Sequence, residues 1–146
     1  MDIVRLFPRE IIRIGPTHGE EFTEDIFPGG IHGIALPRDQ NLTAEVEVYV
    51  YEVVKLGTFK SIPDIFESLG NGHPPLRTAA QVIRFYGDHR DKISDGNFFQ
   101  VGSFIVEILR FEELGFAVNT LPLSHNPTWS PGVRLICLAD ASPSRN

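Results

Sequence analysis

Glu52 is the residue in this chain most able to do acid-base chemistry, because its neighbours place a carboxylate where a valine is expected. From Thr43 to Leu56 the residues alternate with period two, so Val46, Val48, Val50, Val54 and Leu56 share one strand face with Glu52. A carboxylate on such a face is pushed toward its neutral form and can serve as a general acid or base if a pocket reaches it. An internal pair with Arg or Lys, or a bulge between Tyr51 and Val54 that turns the side chain outward, explains the same position without function and is the preferred reading. The partners that would make Glu52 catalytic in a small hydrolase or lyase are His73 and His89.

Other residues carry weaker chemistry. Gly72, His73 and Arg77 precede a helix start, where free amides attract anions and glycine lets a ligand approach, so they form a candidate small-anion site. No strand precedes these glycines and no Walker lysine follows, so neither nucleotide fingerprint is met. His89-Arg90-Asp91 imitates a kinase tripeptide in a chain far too short for that fold. The five histidines show no His-x-x-x-His spacing, and His18 and His32 with the acidic run Glu20, Glu21, Glu24, Asp25 do not supply a fixed ligand set. Neither a metal nor a cofactor is expected, and no nucleophile-and-base motif appears.

Composition narrows the partners. Residues 1–69 hold 6 Lys/Arg against 12 Asp/Glu and residues 70–146 hold 7 of each, so the net charge of −6 belongs to the first half. Without a basic stripe, nucleic acid and anionic membrane surfaces are disfavoured. No apolar run reaches the roughly 20 residues that span a bilayer. The first residues lack a signal-peptide pattern, and Cys137 stands alone in an apolar run, so a cytoplasmic protein with a buried free thiol is expected.

These residues have to be positioned by secondary structure. The predicted fold is α+β, one globular domain over residues 1–140 with a frayed tail at 141–146. Its antiparallel sheet takes N-terminal strands at 3–7 and 11–14, a short strand at 31–36, the long strand 43–56, and C-terminal strands 116–121 and 133–139. About three helices cover it. They are 62–69 after Ser61, 79–93 with the capping box Thr78 and Gln81, and 98–114 with Asn97 and Gln100 in the same spacing.

The helix predicted at 98–114 is apolar around most of its circumference, which suits contact with another subunit through Phe104 and Phe111. His125 and Trp129 lie on a long Pro-stiffened connection, where an exposed indole makes a good contact anchor. Together these features favour a noncatalytic protein-binding or assembly module that associates with itself or with a protein partner.

Overall fold

The computed structural model describes residues 4–6, 12–33, 44–53, 57–58, 76, 78–122, 128–129 and 131–138, with the backbone alone for 4–6, 57–58 and 128–129. Ten strands are present: β1 (Val4–Leu6), β2 (Ile12–Ile14), β3 (Ile31–Gly33), β4 (Val46–Val53), β5 (Gly57–Thr58), β6 (Gly96–Val101), β7 (Phe104–Phe111), β8 (Gly115–Pro122), β9 (Thr128–Trp129) and β10 (Arg134–Leu138). One α-helix, α1 (Ala79–Asp88), is found among the described residues, followed by a 3-10 turn at Arg90–Lys92.

Among the described residues the fold is therefore a mixed sheet with one α-helix, and the expected antiparallel sheet with three helices is corrected. Eight strands form the main sheet in the order β1-β4-β10-β6-β7-β8-β3, with β2 paired to β4 beside β1 so that seven positions are filled. Two of the pairings, β10 with β6 and β3 with β8, are parallel. β5 and β9 make a separate two-stranded ladder.

The largest correction lies at 98–114, which is no helix but the β6-β7 hairpin joined by Gly102 and Ser103. Its central strands are packed on both sides. Phe99, Val101, Val106 and Ile108 enter one buried layer while Phe98 and Ile105 enter the other. Strands buried on two faces lose the polar alternation that marks a half-exposed strand, so a chance spacing of Gln100, Ser103, Glu107 and Arg110 imitated a helix. Gly102 takes φ +57, the left-handed conformation a tight turn needs. Asn97 caps nothing. It is fully buried, donates from Nδ2 to the carbonyls of Ser94 (2.8 Å) and Ile108 (2.9 Å), and accepts at Oδ1 from the Ser94 amide (2.8 Å).

The helix predicted at 79–93 forms over a shorter span. Thr78 Oγ1 accepts from the Gln81 amide and Gln81 Oε1 from the Thr78 amide, both at 3.3 Å, which satisfies two of the free donors at the helix start. The helix lays Val82, Phe85 and Tyr86 on the sheet layer of Val48, Val50, Phe99 and Ile136. The helix expected at 62–69 lies outside the described residues, as does the tail at 141–146.

β4 keeps the predicted register without a bulge. Val48 and Val50 enter the helix-side layer, and Val53 enters the opposite one with Phe98, Leu135 and Cys137. Glu52 thus stays on the helix side. Reading across the ladder, Glu52 stands opposite Arg5 on β1 and Arg134 on β10, and Arg134 stands beside Asn97. The same row continues through Ile108 and Val118 to Ile31 at the far edge. One side of this sheet therefore carries a single row that is charged at one end and apolar at the other.

Candidate functional site

At the charged end, Arg134 is held between two elements. Its Nη1 donates to the Lys92 carbonyl at the end of the 3-10 turn (2.7 Å), and its Nη2 donates to Glu52 Oε2 (3.4 Å). Only 13% of the Arg134 side chain and 17% of Glu52 are exposed. An ion pair in that setting is screened little by solvent, and it ties α1 and its following turn to β4 and β10. Glu52 is therefore engaged in an internal pair with arginine, one of the structural explanations its sequence position allows.

His89 is placed elsewhere. It ends α1, its ring lies against Phe85 with centroids 5.3 Å apart, and Nε2 donates to the Arg13 carbonyl of β2 at 2.7 Å. A carbonyl only accepts, so the proton sits on Nε2. Arg13 pairs with Glu47, five residues along β4 from Glu52, so the His89 ring is bonded to the sheet at a different point of the ladder from Glu52. His73, Gly72, Arg77 and His125 lie outside the described residues. Trp129 is described by its backbone alone, which pairs with Gly57.

The segment between β2 and β3 is anchored by aromatic stacking. Phe27 is fully buried between Phe22 (5.7 Å) and Tyr86 (4.7 Å), and Tyr86 meets Phe116 edge-on at 5.7 Å. The Arg90 guanidinium lies 4.2 Å from the centre of the Tyr86 ring. Burial raises the Tyr86 phenol pKa and the nearby Arg90 charge partly offsets the shift. Within the acidic run, Glu20 accepts from the His18 amide at 2.7 Å and approaches Arg84 at 4.0 Å. No group of three or more His, Cys, Asp or Glu side chains converges among the described residues.

On the opposite face Cys137 stands beside Tyr49, and Tyr51 beside Leu135. Burial pushes the Cys137 thiol and, with the nearby Cys137 and Tyr49 adding to it, the Tyr51 phenol up to about 12. A thiol held protonated and enclosed is a poor nucleophile. Native Cys137 is expected to resist a soluble disulfide reagent at pH 8 and to react at once in denaturant; rapid native labelling would contradict its burial. Both groups bind their protons more tightly in the fold. Stability from them is present at neutral pH and falls as pH rises above the ordinary thiol value of 9.0, where the unfolded chain ionises first.

Sequence reasoning missed one corner of the sheet. The exposed large hydrophobic residues among those described are Ile31 (42%), Phe111 (37%) and Leu114 (60%). Phe111 and Leu114 flank the turn between β7 and β8, with Glu112 and Glu113 between them. Ile31 stands beside Val118 on β8, and the chain entering β3 runs along the same strand, the Gly29 amide donating to the Phe116 carbonyl at 2.8 Å. Phe104, the other phenylalanine singled out for contact, sits at the opposite end of β7 and is half-buried.

β3 is the outer strand of this corner, and all three of its residues are exposed. Gly33 ends it at φ +90, where a Cβ would overlap the Thr120 carbonyl, so glycine is the residue that fits. Exposed edge strands are ordinarily guarded by charge or proline. Here Ile26 to Pro37 contains no Asp, Glu, Lys or Arg and carries Pro28 and Pro37 on either side of β3.

No helix among the described residues is long and apolar enough to cross a membrane. In comparisons with known proteins, no family model, curated protein or solved structure matches this chain.

Proposed function

We propose that this chain is a noncatalytic assembly module of the cytosol that binds copies of itself. The observation that carries the reading is that Ile31, Phe111 and Leu114 are the exposed large hydrophobic residues among those described, Ile31 on the outer strand β3 and the other two at the β7-β8 turn. Single exposed hydrophobics are common, but an exposed apolar residue on an edge strand is the kind of surface that a partner covers. The chemically able groups support the same reading. Glu52 and His89 are engaged by Arg134 and the Arg13 carbonyl, respectively, and Cys137 is enclosed. A lone free thiol agrees with a reducing compartment.

Sedimentation velocity from micromolar to millimolar concentration tests the reading. The weight-average coefficient is expected to rise with concentration, and Phe111→Ser with Leu114→Ser is expected to reduce the rise. A constant monomer value for the native chain at every concentration would reject self-association.

A further inference from the structure

We propose that Asp95 and Gly96, at the start of β6, form a site of self-modification: the Gly96 backbone nitrogen attacks the Asp95 side-chain carboxyl, and the ring so formed reopens as isoaspartate. The sequence supplies the pair, since Asp95 is the aspartate that glycine follows in this chain. A Cβ on the following residue crowds the attacking nitrogen, and glycine brings none. The fold then presents the pair to water. Asp95 lies at a bend between the 3-10 turn and β6, and 83% of its side chain is exposed. Its contact with Arg110 Nη1 is 3.6 Å long and joins two exposed side chains, a screened surface pairing that leaves the carboxyl free to turn.

The attacking amide is loosely held. The Asp95 carbonyl accepts from the Arg110 amide at 3.0 Å and so faces β7, and alternation along the strand turns the Gly96 N–H away from β7. Among the described residues its partner is the Ser94 hydroxyl, at the long distance of 3.4 Å. In the reaction the Gly96 nitrogen bonds to Asp95 Cγ, and one carboxyl oxygen leaves as water with the protons of the acid and the amide. A five-membered succinimide results. Water then adds to one of its two carbonyls. Cleavage from Cγ restores aspartate, and cleavage from the main-chain carbonyl carbon gives isoaspartate, with no oxidant and no net change in mass. The carbonyl that accepts from the Arg110 amide then leaves the main chain as a carboxylate, so the bond closing this end of the β6-β7 hairpin is lost.

Incubation of the native chain in oxygen-18 water near pH 6, followed by peptide mapping, tests the site, because each reopening of the ring places one heavy oxygen at residue 95. The peptide holding Asp95 is expected to gain label, and to yield a separate isoaspartate form, at least tenfold faster than peptides holding Asp25 or Asp88, which are also exposed but precede Ile26 and His89. A Cβ at Gly96 would meet Val133 Cγ2 at an ordinary 3.5 Å, so Gly96→Ala keeps the fold, as an unchanged circular dichroism spectrum would verify. That variant is expected to bring residue 95 down to the rate of the other two aspartates. The native rate is also expected to lie within tenfold of that of a free peptide of residues 93–101. Label at residue 95 that is no faster than at Asp25 and Asp88, or that is undiminished in Gly96→Ala, would overturn the proposal. So would a native rate more than tenfold below that of the free peptide, which would mean that the strand protects the bond.

Discussion

Replacing Arg134 with methionine is expected to destabilise the protein by about 3 kcal/mol, because it leaves Glu52 in an apolar layer without the guanidinium that now faces it. The same substitution removes the donor to the Lys92 carbonyl, which joins the turn after α1 to β10. Urea titration at neutral pH reads the loss as a lower midpoint with an unchanged slope, and thermal melting reads it as about 2–4 °C per kcal/mol for a domain of this size. Glu52→Met added to Arg134→Met is expected to recover most of the loss, since two apolar side chains of similar volume replace the broken pair. A loss below about 0.5 kcal/mol in the single variant would mean that the pair behaves as a screened surface contact. No recovery in the double variant would mean that the Lys92 contact, and not the pair with Glu52, holds Arg134 in place.

Phe99→Ala is expected to cost about 3–5 kcal/mol. Phe99 is fully buried on β6, and its ring meets Phe85 of α1 edge-on with centroids 5.7 Å apart. Truncation removes the transfer energy of a whole ring and opens a cavity between the helix and a sheet position that has strands on both sides. Relaxation is limited there because Val101, Val106 and Ile136 pack into the same layer. Equilibrium unfolding measures the cost, and Phe111→Ala, on an exposed side chain of the same hairpin, serves as the comparison with an expected change within about 0.5 kcal/mol. Equal losses at the two positions would contradict the placement of the β6-β7 hairpin.

The difference between these two phenylalanines also explains what could be read from the residues alone. β4 was legible because one alternating run named its faces, and Glu52 stands on the face that period two assigns to it. The start of α1 was legible because Thr78 and Gln81 make a local, reciprocal cap. The hairpin at 96–111 was not, since both its faces are buried and its apolar residues follow no single period. Parallel pairing of β10 with β6 joins segments far apart in the chain, and no local spacing records it.

The candidate sites divide in the same way. An internal ion pair for Glu52 is one of the two structural readings its position allows, but Arg134 as the partner depends on the register of β10. Ile31, Phe111 and Leu114 are ordinary apolar residues in the chain, and only tertiary placement leaves them exposed together. Phe111 was singled out as a contact residue on the face of a helix that does not form. It reaches the surface instead at the end of β7, beside the turn into β8.

Amide hydrogen exchange measured at low and high protein concentration tests self-association most directly. Self-association predicts concentration-dependent protection confined to β3 and the β7-β8 turn, with the amides around Glu52 unchanged. Protection that is the same at both concentrations, or that appears around Glu52 and not at Ile31, would contradict it.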